Sequence, residues 1–439
     1  KRRLKMKQLT RLFIPICLET LFYMLSGMVD TLMLSAVGDY AVGAVGTANS
    51  YIGIFIIMFS IISSGMVSVM TQNIGAGRPG VAYQARQLGL LFNAVAGVLM
   101  AVFLFSGAGA ILRMVGIADA LYEPALIYLK IVGGGCILNA VIPIFSSYLR
   151  AFGYTKQPLY ATIVGNIANF VMNAVFLFVL HKGVAGVAAA TVISKILNLC
   201  IVLYFSHKLI SAKNSTERIA NKTVLGQIVK VGLPSACETA LYNVAMMLVI
   251  RFLNQMDAEG LNVTARSYTA TISNFSYCVG AALAQANAIM TGWHIGAGEL
   301  EECDRGTKRA AFVGVCVAVC METAIVLGSG FIMPLFTDNP EMTALVRKLL
   351  AIDIVLEIGR VTNLVFGQAL KTSGDAVFPA VIAAVFMFVF AVGGTWLFGI
   401  SMGLMAVGAY IGLASDECVR AVGMVWRWKT GKWRTKKLV

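Results

Sequence analysis

Charge is what this chain has least of. Of its 439 residues, 13% are Asp, Glu, Lys or Arg and 58% are hydrophobic, whereas a soluble domain carries roughly 25% charged residues. A water-soluble globule is therefore excluded. Histidine is also sparse: His181, His207 and His294 fall at predicted helix ends, too scattered for a metal cluster. The nine cysteines show no CxxC and no Cys/His ligand spacing, so neither a disulfide framework nor a metal site is expected. Cys316 and Cys320, four residues apart, read as packing residues. A GxxxxGK[ST] phosphate loop is missing, so a pump of this kind must draw on an ion gradient or on another subunit. No nucleophile–base pair stands out, and an enzyme is not expected.

What the chain does have is apolar length. Stretches of about 20 residues, enough to cross a bilayer, recur twelve times: 12–36, 46–72, 86–107, 121–147, 157–180, 184–207, 225–254, 263–291, 308–333, 342–370, 377–399 and 402–427. The chain also repeats itself. Leu149-Arg150-Ala151-Phe152-Gly153 with Pro158 returns 221 residues later as Leu370-Lys371-Thr372-Ser373-Gly374 with Pro379. Ile74-Gly75-Ala76-Gly77 returns as Ile295-Gly296-Ala297-Gly298; Pro15, Glu19, Thr20 and Tyr23 return as Pro234, Glu238, Thr239 and Tyr242. The predicted fold is all-α and membrane-embedded, with an N-lobe at 1–209, a linker at 210–224 and a C-lobe at 225–439. Two copies of one fold in a membrane point to a transporter with its site between them. The paired IGAG segments read as glycine stops at helix ends. Pro15 and Pro234 read as helix starters, while Gly133-Gly134-Gly135 and Pro143 are hinge candidates in the fourth helix.

The net charge of +14 does not indicate nucleic acid, because it is distributed by side. With the first segment inside and the spans alternating, 25 of the 35 Lys and Arg residues are cytoplasmic and four are external. That is the positive-inside pattern, with both termini cytoplasmic. The N-terminus leads into a long span without a small-residue cleavage site, which predicts a retained helix and not a removable signal. The linker is the polar run from Ile210 to Gly226, with Lys213, Asn214 and Ser215 near its middle.

Eight carboxylates fall within spans: Glu19, Asp30, Glu238, Glu322, Asp353, Glu357, Asp416 and Glu417. A charge at a helix centre costs about 2.5–3.5 kcal/mol on insertion scales, so each needs a partner, a proton or water. On the first helix Glu19, Tyr23, Ser26 and Asp30 are spaced 4, 3, 4 and form one polar face. On the fifth, Thr162, Asn166, Asn169 and Asn173 repeat that spacing. Together they predict a wet pocket, to which Asn139, Lys195 and Asn198 can contribute. The asparagines have an alternative role as interhelical hydrogen-bonders. Asp30 is the stronger functional candidate, because Asn or Ser would make such a bond more cheaply. The second half is not a chemical copy: Asp30 maps to Val249, and Asn166, Asn169 and Asn173 map to Met387, Phe390 and Gly394. Glu357–Arg360 and Glu417–Arg420 are spaced to neutralise each other locally, and Glu19 and Glu238 match by repeat as structural residues.

Pro15, Val29-Asp30-Thr31, Gly38 and Ala44-Val45-Gly46 resemble the opening of the multidrug and toxic compound extrusion (MATE) transporters. Asn73-Ile74-Gly75-Ala76-Gly77, Leu149-Arg150-Ala151-Phe152-Gly153, Gly183-Val184-Ala185-Gly186 and the tail from Trp426 to Trp433 extend the resemblance over the whole chain. It implies two six-helix lobes around a central cleft, and export of amphipathic, often cationic, compounds in exchange for H⁺ or Na⁺. It also implies that Asp30 occupies the cation-coupling position and that Asn169 matches the usual Asn of the fifth helix. Asn173 stands where a second acid is common. Another branch of the family uses acids on the seventh and tenth helices. There this chain has Tyr242, with Glu238 four residues before it, and a position near Gly359, with Glu357 beside it.

The expectation is thus a monomeric, multi-pass antiporter of the plasma (inner) membrane, handling a small-molecule substrate among lipids, with no cofactor, metal or nucleic-acid partner. A lipid-linked precursor flippase or a dedicated metabolite exporter of related fold is the alternative. Asp30, Asn169 and Asn173 are the coupling candidates. Asn139, Asn166, Asn198, Glu238, Tyr242 and Glu357 are candidates for the substrate cleft.

Overall fold

The computed structural model describes the chain except for Lys1, Gly116, residues 212–216 and Ala258, and describes only the backbone of 2–6, Asp39 and Val115. Lys213, Asn214 and Ser215 of the expected linker thus lie outside the described residues. Thirteen α-helices follow one another: α1 (Arg2–Ser35), α2 (Asp39–Gly75), α3 (Pro79–Val115), α4 (Asp119–Gly134), α5 (Cys136–Ala151), α6 (Lys156–Ala174), α7 (Gly183–Leu209), α8 (Asn221–Met256), α9 (Leu261–Gly296), α10 (Leu300–Ile332), α11 (Pro340–Ser373), α12 (Val377–Phe386) and α13 (Met405–Lys429). α4 and α5 are one apolar span bent by 41°. The break falls at Gly135, within the glycine run singled out as a hinge, where the helix hydrogen bonding restarts around a residue without a side chain. α12 continues as π-helical turns over Met387–Val392 and Thr395–Ser401. Counting the bent pair as one, twelve helical segments result, in keeping with the twelve apolar stretches of the sequence.

Nine of these, with α4–α5 taken together, are long and apolar enough to span a membrane by composition alone. The other three, α9, α11 and α13, run 36, 34 and 25 residues. Their apolarity is diluted by buried polar residues such as Ser273, Asp353, Asp416 and Arg420, which line an internal cavity.

The chain divides into two compact units, Thr10–Gly232 and Leu233–Val439 with the first nine residues. The boundary falls inside α8 beside Pro234. Pro15 and Pro234 lie inside α1 and α8, not at their starts as the sequence suggested. Both helices begin about 13 residues earlier, in polar turns that a hydropathy reading leaves out, and the proline interrupts only one backbone bond of a long helix. For the same reason α8 starts at Asn221, within the expected linker.

The N-terminal unit packs around α2, with Ala41, Ala44, Ala48, Ala108 and Ala188 fully buried. Small residues let helix backbones approach, which is how membrane helices associate where lipid competes with any apolar side chain. The closest approach is between α2 and the first turns of α8: a Cβ on Gly232 would lie 1.7 Å from the Ile61 carbonyl oxygen, and one on Gly65 2.0 Å from that of Ile228. Asn93 of α3 pins this unit by donating to the carbonyls of Phe59 (3.3 Å) and Ala140 (3.0 Å). The C-terminal unit has one core around Val249, Leu349, Leu350 and Tyr410 and another under Trp428 and Trp433, whose rings stack at 4.2 Å.

The repeat read from sequence is also visible in backbone geometry. Gly77 and Gly298 end α2 and α9 with φ of 75° and 76°. These are the left-handed glycine stops expected for the IGAG segments. Cys316 and Cys320, read as packing residues, are instead exposed on α10.

Candidate functional site

In the N-terminal unit the polar faces of α1 and α6 meet. Asn173 Nδ2 donates to Asp30 Oδ1 at 2.8 Å and to Asn169 Oδ1 at 3.1 Å. Asn169 is 5% exposed and Asn173 fully buried. Buried amides at this depth need every hydrogen bond they can make, yet Asn173 Oδ1 has no partner among the described residues. The chain turns π-helical immediately after Asn173, over Val175–Val179, a local widening frequent at functional sites. Opposite, Lys195 Nζ donates to Asn139 Oδ1 at 2.8 Å and lies close enough for its charge to act on Asp30. Asn139 Nδ2 and Asn198 Oδ1 are likewise buried without a partner.

The structure thus brings Asp30, Asn169 and Asn173 together, with Lys195 and Asn139 beside them. It does not bring Asn166 to the group: that side chain donates to the Phe22 carbonyl at 2.9 Å and ties α6 to α1, the interhelical role that was its alternative. Glu19 pairs with Arg150 at 2.6 Å. Its repeat partner Glu238 pairs with Lys371 at 2.7 Å, and Arg150 and Lys371 are themselves repeat partners. One ion pair has been kept twice, which supports a structural role for both acids.

The C-terminal unit contains a cavity of about 470 Å³ lined by α8, α9, α11 and α13 and by Met387. Tyr242, Tyr277 and Tyr410 form its aromatic wall, and Met246, Leu356, Leu364 and Leu413 its apolar one. Its charges are arranged mostly in pairs. Glu238 and Lys371 sit together as described. Arg420 clamps Asp416 with two bonds, of 3.0 and 2.7 Å, and also reaches Glu417 at 2.8 Å. Such bidentate contacts fix orientation as well as charge. Arg360 bonds Glu357 and reaches Glu417 at 3.8 Å, so the pairs proposed from i,i+3 spacing are both made. Tyr242 and Glu238 line the cavity, and Glu357 stands behind Arg360.

Behind the wall, Glu322 of α10 joins Asp353 and Glu357 of α11, one oxygen of each lying within 4.8 Å of the others. All three are at most 2% exposed. Glu322 and Asp353 had no singled-out role in the sequence. The signal was present: neither has a basic residue three or four positions away, so neither can be neutralised along its own helix. Arg266 of α9 also lines the cavity.

The sequence profile of the MatE family matches residues 15–175 and 234–397. Over 428 residues, 96% of this chain and 94% of the relative, the sequence is 32% identical to the uncharacterized transporter YisQ of Bacillus subtilis. It is 20% identical to the probable multidrug resistance protein NorM of Thermotoga maritima, over 99% of this chain and 94% of that one. Among solved structures, a multidrug resistance MATE family transporter of the MOP superfamily in an outward-facing conformation superposes with a TM-score of 0.84 at 21% identity, covering 97% of this chain and 96% of that one. A Pyrococcus furiosus transporter of the same superfamily, described by the reverse polarity of its binding pocket, gives 0.83 at 20% identity, covering 98% and 96%.

Proposed function

Since the chain belongs to the MATE family of membrane transporters, we propose that it is a secondary active antiporter, exporting amphipathic organic compounds that carry a cationic group in exchange for H⁺ or Na⁺. We place it in the plasma (inner) membrane as a monomer with both termini cytoplasmic, on the positive-inside distribution of its Lys and Arg residues. The observation that carries the coupling assignment is the Asn173–Asp30 contact of 2.8 Å.

A carboxyl beside an amide can exist in two states without losing its hydrogen bond. Ionised, Asp30 accepts from Asn173 Nδ2; protonated, it can donate to Asn173 Oδ1, the atom now lacking a partner. The same oxygens, with Asn169 Oδ1, are the hard ligands that Na⁺ prefers. Lys195 lies nearby; when it carries its proton, the site is neutral overall with Asp30 ionised and positive once Asp30 has taken up its cation. Uptake of that ion on one side of the membrane and its release on the other makes the ion's own gradient the driving force. One-for-one exchange with a monovalent cation is electroneutral, and each tenfold gradient, about 1.4 kcal/mol, supports about tenfold accumulation.

The test is transport of a fluorescent organic cation by proteoliposomes under imposed gradients. An outward-directed substrate flux driven by an opposing pH or Na⁺ gradient, and collapsing when that gradient is dissipated, is the expected result. Flux indifferent to both gradients would reject the antiporter.

A further inference from the structure

The lining charges of the C-terminal cavity leave a remainder. Lys371, Arg360 and Arg420 are each held by a carboxylate, but Arg266 is not. Its guanidinium has one side-chain contact, Nη2 to Met246 Sδ at 3.8 Å, and no ion pair among the described residues. An arginine facing a cavity inside a membrane protein without a carboxylate is costly unless a ligand or water meets it. Among the acids of the lining, Asp353 is the one without an ion pair among the described residues, although the charge of Arg360 acts on it: it is 2% exposed, and its Oδ2 has no partner there. Tyr410 interacts electrostatically with Asp353, Arg266 and Arg360, which places the two lining charges that lack an ion pair around one tyrosine. The cavity therefore offers one positive and one negative handle, set in an aromatic and aliphatic wall.

The negative handle is deeper than one residue. Glu322, with neither carboxylate oxygen partnered, and Glu357 Oε2, also unpartnered, stand behind Asp353. Ser273 and Ser276 of α9 are 3% and 0% exposed, and their hydroxyls find no partner of normal geometry although they adjoin Asp353 and Glu322. Three carboxyls this close repel one another; Arg360 makes its ion pair with Glu357, and its single charge also acts on Asp353 and Glu322. An ammonium group provides the missing positive charge and up to three N–H donors for such a nest of oxygens. A guanidinium, with its planar fork, is matched by a carboxylate or a phosphate.

We propose, on the transporter reading above, that this cavity binds a small organic zwitterion, its amine on Asp353 and the acids behind it, its carboxylate or phosphate on Arg266, and its apolar body against the tyrosines. A cavity of about 470 Å³ falls in the range that holds compact organic ligands.

Binding of three matched probes to the purified full-length chain in detergent, by calorimetry, tests this without any gradient. Phe-Phe is the zwitterion, Phe-Phe amide the cation and N-acetyl-Phe-Phe the anion. The zwitterion binds at least about tenfold tighter than either of the others. Arg266→Gln removes that preference by weakening Phe-Phe binding about tenfold more than amide binding, and Asp353→Asn does the converse for N-acetyl-Phe-Phe. Arg266→Lys, which keeps the charge, preserves the rank order and shows that loss in Arg266→Gln is not loss of fold. Equal or tighter binding of the amide, no binding of Phe-Phe at millimolar concentration, or stabilisation by NaCl that excludes Phe-Phe would each overturn the proposal. Because these measurements need no transport, a failed zwitterion site leaves the coupling role of Asp30 standing, and a failed coupling role leaves the zwitterion site.

Discussion

At the scale of single residues, the duplicated ion pair separates structure from chemistry. Glu19–Arg150 and Glu238–Lys371 occupy equivalent places in the two halves at 2.6 and 2.7 Å, with each side chain at most 21% exposed. Asp30 and Asn173, by contrast, have Val249 and Gly394 as their counterparts. What both halves keep serves the fold they share; what one half alone has is free to serve function. Glu19→Gln is therefore expected to lower stability by roughly 1.5–3 kcal/mol, the worth of a charge-assisted bond. The exchange Glu19→Arg with Arg150→Glu should recover most of it. Thermal unfolding in detergent checks this, and an exchange variant no more stable than the single mutant would show that packing, not the pair, holds the site. Asp30, Asn169 and Asn173 were legible in the sequence because a spacing of 3 and 4 writes a helix face directly. Arg266 and the Glu19–Arg150 partnership were not. The paired residues lie 131 positions apart, and which side of a helix meets which neighbour is not encoded in its own period.

At the scale of the helix, hydropathy located the spans but not their ends. Polar first turns extend α1 and α8 beyond the apolar window, which is why Pro15 and Pro234 are interior and not initiating. The glycine run of the fourth span gave its break correctly, since an unsubstituted backbone permits a bend that the surrounding apolar residues do not reveal. The glycines of α8 have opposite roles that no sequence pattern separates. Gly232 faces the Ile61 carbonyl at a distance that allows no side chain, whereas a Cβ on Gly226 would meet nothing within 4 Å. Gly232→Val should force α8 off α2 and lower stability by about 1–3 kcal/mol or more. Gly226→Ala should be neutral or stabilising by up to about 1 kcal/mol through helix propensity. Unfolding midpoints of the two variants decide the matter; equal effects would mean that α8 yields at this contact.

At the scale of the whole molecule, two units of one ancestry have diverged in chemistry. The N-terminal unit sets the Asp30 carboxyl among amides, with Lys195 beside them. The C-terminal unit holds a network of acids and bases around a cavity. The division of labour we propose is coupling in the first and ligand recognition in the second. The internal repeat and the twelve helical segments were readable from the chain alone. The division itself was only half readable: the asymmetry of residue types could be seen, but the cavity that collects Asp353, Arg266 and the tyrosines exists only once four helices are packed.

The coupling role of Asp30 is tested most directly by comparing exchange with accumulation in one variant. Asp30→Asn removes the titratable oxygen with little change in volume and leaves Asn173 an acceptor for its second bond. In proteoliposomes loaded with a fluorescent organic cation, the variant is expected to bind and exchange substrate down its own gradient while losing gradient-driven accumulation, from about tenfold per tenfold ion gradient toward unity. Accumulation at the wild-type level by Asp30→Asn would contradict the assignment and move the coupling site elsewhere in the chain.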